Sequence, residues 1–357
     1  MAKVLMKGNE AIGEAAIRAG CLNYFAYPIT PQSEVAEYLA KRLPEAGGTF
    51  LQGESEVAVG YMIFGAAACG ERVMTTSSSP GVSLMSEAIS YIAGARCPAV
   101  FVNIMRGGPG LGGILPSQGD YFQATKGGGH GDYHLLVMAP DGVQEAVEMT
   151  MQAFSLAEKY RGPVMIMGDG MIGQMMEPVE FPEDLSVPPT NKDDWATNGM
   201  DTRNSTTKNI VKSLYLDPTV LNDHNLLLKS QYDRMKKEEV RFENYNTAGD
   251  YEALIVSYGT MSRVCKTAID EMKAQGLEIG MVRPKTLFPF PEQAIHDAAS
   301  KKGCKVVVSI EMSMGQMVED VERVVKGKAP VQWYGQCGGE IPTPEEVIEH
   351  IKSLLNS

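Results

Sequence analysis

The sequence has no CxxC pair, no CxH pair and no cysteine cluster. Its six cysteines, Cys21, Cys69, Cys97, Cys265, Cys304 and Cys337, lie far apart. That spacing argues against zinc or iron–sulfur ligation within the chain, and no metal site is expected. The thiols read as reduced and mostly buried, as in a cytosolic protein. No run approaches the ~20 apolar residues of a membrane helix. Met1 to Gly8 is too short and too interrupted for a signal peptide, so a cytoplasmic protein with no membrane partner is expected. Positive charge is scarce, with 32 Lys and Arg against 44 Asp and Glu, a net charge of −12. Such a chain repels phosphate backbones, which argues against nucleic acid, and suits a basic or electron-carrying partner. No short-period repeat is present.

What is present is ordinary globular material, 44% hydrophobic and 21% charged, in 357 residues. That length predicts two domains or three. Glycine (37) and methionine (22) are abundant. Methionine packs adaptably and oxidises readily, which fits anaerobic metabolism.

Residues 1–178 alternate strand and helix. Strands are expected at Leu22–Tyr27, Thr49–Gln52, Val73–Ser77, Ala99–Ile104, Leu135–Met138 and Pro163–Met167. Helices are expected from Asn9 to Gly20, from Ser33 through Leu43, from Glu54 to Ala68, after Ser79-Pro80, and from Ala146 to Ala157. Continuous apolar strands between helices indicate a parallel sheet covered on both faces, a doubly wound α/β domain whose ligands sit at the carboxyl ends of strands. Residues 179–247 read as a proline-rich, polar linker with a helical excursion, one exposed helix spanning Tyr232–Glu243, and no functional residues. A second, smaller α/β domain, also parallel, is expected over 248–357, with strands at Ala253–Thr260, Ile279–Arg283, Val306–Glu311 and Val331–Tyr334.

Gly107 to Gly113 looks like a phosphate loop but lacks the Lys-Ser/Thr of a Walker A motif and contains Pro109. Arg106, just before it, stands at a strand's carboxyl end. An arginine there either clamps a carboxylate through two parallel hydrogen bonds or simply caps the strand. Gly168-Asp169-Gly170 matches the start of a magnesium–diphosphate motif, yet no Asn-Asn follows, and Asn191 falls in the polar linker. A strand-ending turn is the simpler reading. Glu54 and Glu56 open a helix, where acids complement the macrodipole. The small residues after Glu56 let that helix pack closely and bury its first-turn acid, and a buried carboxyl tends to keep a proton for donation to a ring nitrogen.

Ala26-Tyr27-Pro28-Ile29-Thr30-Pro31, Gly53-Glu54-Ser55-Glu56, Thr75 to Gly81 and Asn103 to Pro109 occur in that order. Together they resemble the alpha-type subunit of the 2-oxoacid:ferredoxin oxidoreductases, most of all the branched-chain 2-oxoisovalerate (3-methyl-2-oxobutanoate) members, and the likeness covers almost the whole chain. The resemblance implies a pyrimidine-binding thiamine diphosphate domain followed by a transketolase-C-terminal-like domain. It implies oxidative decarboxylation of a 2-oxoacid to acyl-CoA, with electrons passed to ferredoxin. It makes Glu56 the residue that bonds the aminopyrimidine, and Thr30 and Arg106 the substrate-binding pair. It places Mg2+ and the diphosphate on a beta-type subunit and the iron–sulfur clusters on a further, ferredoxin-like subunit, beside a gamma-type subunit. Coenzyme A is then a substrate. Pyruvate- and 2-oxoglutarate-specific members share these motifs. A free-standing transketolase-like enzyme and a non-catalytic assembly subunit are the competing readings.

Other residues carry softer expectations. His130, in the loop Gly127–Asp132, reads as a plain loop histidine or an active-site visitor. Ser79, Ser83 and Gln118 are placed in the same crevice as the site. Glu311 reads as a packing or subunit-contact position.

Overall fold

The computed structural model describes residues 3–199 and 208–356. Part of the expected polar linker, 200–207, lies outside the described residues. In chain order the first half runs β1 (Val4–Lys7), α1 (Gly8–Arg18), β2 (Asn23–Ala26), α2 (Ser33–Glu45), β3 (Thr49–Gln52), α3 (Glu56–Ala68), β4 (Val73–Ser77), α4 (Pro80–Gly94), β5 (Ala99–Met105), α5 (Tyr121–Thr125), β6 (Leu136–Met138), α6 (Val143–Tyr160), β7 (Pro163–Asp169), α7 (Gly170–Gln174) and β8 (Met176–Val179). The second half runs α8 (Pro218–Glu238), β9 (Phe242–Tyr245), β10 (Ala253–Val256), α9 (Gly259–Ala274), β11 (Ile279–Pro284), β12 (Thr286–Phe288), α10 (Glu292–Ala299), β13 (Val306–Glu311), α11 (Met317–Val325), β14 (Val331–Gly335) and α12 (Pro344–Asn356).

Seven strands form the larger sheet, in the order β12-β6-β7-β5-β4-β2-β3, parallel except for β12. Side-chain alternation on β5 shows how the sheet is covered. Val100, Val102 and Ile104 face α1, α2 and α6, while Phe101 and Met105 face α3, α4 and the C-terminal half. The smaller sheet, β14-β13-β10-β11-β9, is parallel except for β9, and β1 pairs with β8 in an antiparallel ribbon. On β10, Leu254 and Val256 join the core shared with α3 and α4, whereas Ala253 and Ile255 join a separate core under α9 and α12. The two sheets thus meet across one continuous apolar layer.

Three expectations are corrected. The exposed helix at Tyr232–Glu243 is replaced by α8, which starts fourteen residues earlier, where Asp217 caps the amides of Thr219 (2.8 Å) and Val220 and Pro218 occupies the first turn. Its Leu228, Tyr232 and Met235 are buried against the first sheet, and the chain beyond it becomes β9. The second sheet is therefore not wholly parallel. The cysteines are all free, but only Cys21, Cys97 and Cys265 are buried.

The two halves are bolted by ion pairs as well as by apolar contact. Arg283, on β11 and 1% exposed, forks onto Glu145 of α6 at 2.7 and 2.9 Å and also reaches Glu243 at 2.7 Å. Lys285 reaches Glu145 at 2.7 Å. Burial works against ionisation of Glu145, but Arg283 and Lys285 outweigh it and hold the carboxyl down at about 2. No helix among the described residues is long and apolar enough to cross a membrane.

Candidate active site

In the larger sheet β2 is followed by β3 on one side, and the chain then crosses back to place β4 on the other. A crevice opens where such connections diverge, at the carboxyl ends of the strands. Four segments converge there: Tyr27–Pro31 after β2, Ser55–Glu56 after β3, Ser78–Gly81 after β4 and Arg106–Gly113 after β5.

Arg106 is 7% exposed. Its Nη1 donates to the backbone oxygen of Thr30 at 2.8 Å and its Nη2 to that of Leu111 at 3.2 Å. Its Nε is buried with no partner. No carboxylate among the described residues pairs with it, in contrast to Arg72 and Arg283, which are equally buried and forked onto Glu158 and Glu145. A desolvated cation without a counter-ion is costly. The arrangement fits an anion brought in from outside.

Glu56 is the first residue of α3, and Ser55 caps the helix by accepting from the amide of Ala58 at 3.3 Å. Although Glu56 is buried, its carboxylate has no hydrogen-bond or ion-pair partner among the described residues. It lies against the start of α4. A Cβ on Gly81 would come within 2.7 Å of Glu56 Oε1 and 2.2 Å of Ser77 Oγ, so only glycine allows this approach. The hydroxyls of Thr75, Ser77 and Ser78 are buried and unpartnered as well. Unsatisfied polar groups in such number are rare away from functional sites.

Between these groups stands Ser79, whose φ of 21° is strained for a non-glycine residue. Its amide donates to Asn103 Oδ1 (3.0 Å), and its Oγ donates to Asp120 Oδ2 (2.6 Å) and accepts from the Arg106 amide (3.1 Å). Asn103 Nδ2 also donates to Asp120, at 2.8 Å. Burial pushes the Asp120 carboxyl up, and the bonds from Ser79 and Asn103 pull it part of the way back. A cleft of about 550 Å³ opens beside this knot, lined by Ser79, Ser83, Leu84, the Gly107–Gly110 turn and Asp120.

The structure therefore brings Thr30, Arg106 and Ser79 into direct contact, sets Glu56 on the neighbouring helix end, and leaves Ser83 on the cleft wall. Gln118 is not in the crevice. It is fully buried, and its side chain bonds Tyr258 O and the Met312 amide in the C-terminal half. His130 lies against the Tyr91 ring, about 16 Å along α4 from Pro80. Asp169 caps α7 through the Met171 and Ile172 amides, and Asn191 caps the Asp193 amide, so among the described residues the two do not form a shared site. Glu311 is fully buried and accepts from the amides of Gln316, Met317 and Val318 at the start of α11. Asn103 and Asp120 escaped the sequence reading. An asparagine inside the apolar run of β5 was the available signal for the first, and Asp120 left none.

Residues 14–244 match the family model for the pyruvate flavodoxin/ferredoxin oxidoreductase thiamine diphosphate-binding domain, and residues 251–347 match that for pyruvate:ferredoxin oxidoreductase core domain II. The chain is 46% identical over 354 residues to the ketoisovalerate oxidoreductase subunit VorB of Methanothermobacter thermautotrophicus, covering 99% of this chain and 98% of that one. It superposes on a 2-oxoglutarate:ferredoxin oxidoreductase from Magnetococcus marinus, solved with 2-oxoglutarate, coenzyme A and succinyl-CoA bound. That match has a TM-score of 0.87 at 27% identity and covers 99% of this chain but 65% of the solved one. A split-gene transketolase, an inactive beta4 tetramer, shares the fold at a TM-score of 0.58 and 14% identity. The fold is thus a thiamine-diphosphate-type α/β domain followed by a transketolase-C-terminal-like one, and the chain belongs to the 2-oxoacid:ferredoxin oxidoreductases, as an alpha-type subunit.

Proposed function

We propose that this chain supplies the pyrimidine-binding half of an active site that converts a branched-chain 2-oxoacid, coenzyme A and two oxidised ferredoxins into acyl-CoA, carbon dioxide, two reduced ferredoxins and a proton. The observation that carries the reading is that one strand-end crevice holds both a buried guanidinium without a counter-ion, Arg106, and a buried carboxyl without a hydrogen-bond partner among the described residues, Glu56.

The residues fit thiamine diphosphate. The free Glu56 carboxylate, the orphaned Ser77 and Ser78 hydroxyls and the cradle at Gly81 match a flat ring that both donates and accepts hydrogen bonds. When bound, the cofactor supplies the carbon nucleophile and the electron sink that decarboxylation needs. Glu56 holds and returns a proton at the ring, which is ordinary general acid–base work. Arg106 grips the 2-oxoacid carboxylate, and the Thr30 hydroxyl borders the keto group. Diphosphate and Mg2+ are held by a beta-type subunit, and iron–sulfur clusters by a ferredoxin-like one, with a gamma-type subunit completing the complex.

A branched aliphatic substrate is favoured over 2-oxoglutarate because, among the described residues, this chain sets no Lys or Arg on the wall of the cleft beside Arg106 to hold a second carboxylate. The relative named for ketoisovalerate is 46% identical to this chain, against 38% for the 2-oxoglutarate synthase subunit KorA of Archaeoglobus fulgidus. The working units are residues 1–178 and 248–357, joined by 179–247, which gives β9 to the second sheet, while the second unit lends β12 to the first.

The test is co-expression with the partner subunits and a comparison of ferredoxin reduction on 2-oxoisovalerate, pyruvate and 2-oxoglutarate. The complex should prefer 2-oxoisovalerate, and the chain alone should be inactive. A fully active single chain refutes the half-site, and a preference for 2-oxoglutarate refutes the substrate assignment.

A further inference from the structure

Gln118 and Asp120 stand two residues apart in one loop, yet they face different halves of the molecule. Every polar atom of Gln118 is committed to the C-terminal half. Its amide donates to Met312 O (2.8 Å), its Nε2 donates to Tyr258 O (2.8 Å), its Oε1 accepts from the Met312 amide (2.9 Å), and its carbonyl accepts from the Tyr258 hydroxyl (3.3 Å). Met312 follows β13 and Tyr258 follows β10, so one side chain spans the carboxyl ends of two strands of the smaller sheet. The fit is close, since a Cβ on Gly259 would lie 3.0 Å from Gln118 Nε2. Asp120 points the other way. Both donors on its Oδ2 come from the crevice, Ser79 from the strained turn before α4 and Asn103 from β5. Through Ser79 Oγ the same knot reaches the Arg106 amide.

We infer that Asp120 is a positioning residue: it carries the docking of the C-terminal half, received through Gln118, to the turn that aims Arg106 at the substrate carboxylate. This rests on the assignment of Arg106 as the substrate-gripping residue. The strained turn at Ser79 needs outside support to persist, and its side-chain and amide supports from Asn103 and Asp120 both run through the Asp120 carboxylate. Asp120 acts as a hydrogen-bond acceptor here and transfers no proton. Its amide analogue, which retains a carbonyl oxygen for Ser79 and Asn103, should therefore suffice.

The experiment uses the complete complex and follows kcat and KM for 2-oxoisovalerate. Asp120→Ala should raise KM at least tenfold and lower kcat less. Gln118→Ala should give the same split, although it touches nothing in the crevice. Asp120→Asn should stay within about threefold of wild type. Combining Asp120→Ala with Arg106→Ala should add nothing to the KM of Arg106→Ala, because residues acting through one another are not additive. Ile351→Val, in the core under α9 and α12, serves as the stability control and should lower the melting temperature without moving KM. The inference falls if Asp120→Ala and Gln118→Ala behave like Ile351→Val. It also falls if Asp120→Asn is as damaged as Asp120→Ala, which would make Asp120 a proton carrier. If Arg106→Ala itself leaves KM unchanged, the substrate assignment fails instead, and the two failures are thereby told apart.

Discussion

Replacing Arg106 by alanine tests the substrate site most directly, and the structure sets the size of the effect. A guanidinium offers five N–H donors. Two are spent on Thr30 O and Leu111 O, which leaves Nε and one hydrogen on each Nη for a ligand. That suffices for a side-on fork onto a carboxylate. Hydrogen bonds to charged groups contribute ~1.5–3 kcal/mol each. A fork in this crevice should contribute about 2–4 kcal/mol, and at ~1.4 kcal/mol per factor of ten the KM for 2-oxoisovalerate should rise about 30- to 700-fold. Stability should behave differently. Arg106 is a buried cation with no acid of its own, so its removal relieves a desolvation cost that offsets the two lost carbonyl bonds. The melting temperature of the purified chain should hardly change. Arg106→Lys should recover only part of the affinity, since an ammonium cannot fork. The assay is steady-state ferredoxin reduction by the complex over a wide range of substrate, beside thermal unfolding of each variant. An unchanged KM for Arg106→Ala refutes the reasoning. So does a collapse of the melting temperature, which would make Arg106 a structural brace.

Glu56→Gln should lower single-turnover reduction at saturating thiamine diphosphate by ~10²-fold or more, because the amide fills the same volume but cannot move a proton. Glu54→Gln is the control, its side chain being exposed one turn-edge away, and the assignment is wrong if it proves the damaged variant. Glu145 provides a pH test. Its carboxyl is held at about 2 in the folded chain against an ordinary value near 4.5, so its contribution to stability is complete above pH 4.5 and is lost as the pH falls toward 2. Chemical denaturation from pH 6 to pH 2 should show wild-type stability dropping more steeply than that of Glu145→Gln, and parallel curves would remove the Arg283–Glu145 joint from the account.

The sheet was legible wherever a strand is apolar on both faces. Ala99–Ile104 ends one residue later as β5, and Pro163–Met167 runs two residues further as β7, both buried at every position. Such strands carry their burial in their own residues. What could not be read depends on partners distant in sequence. β12 is three residues long and is a strand only because Met138 and Val137 accept it as a neighbour. The start of α8 was written in Asp217-Pro218, but the polar residues beyond it masked a buried stripe made of Leu228, Tyr232 and Met235. In the site, the family-like motifs marked Thr30, Glu56 and Arg106, and the chain does bring these segments to one crevice. Gln118 was misplaced because a glutamine's pattern in sequence is the same whether it lines a cleft or bridges two domains. Asp120 was missed because its role is defined by two donors, one from Ser79 and one from Asn103, that only the fold assembles.

The borrowed edge strand bears on how the chain is made. β6 is the last parallel strand on its side of the larger sheet, and β12, which caps it, is encoded about 150 residues later. At ~5–20 residues per second, synthesis leaves the outer-edge backbone donors and acceptors of β6 open for roughly 8–30 s after that strand leaves the ribosome. An open edge of this kind is a template for pairing with another chain. Nascent chains on one messenger are therefore at risk of joining edge to edge during that interval, and ribosome stalling or truncation before Phe288 should convert soluble product into aggregate.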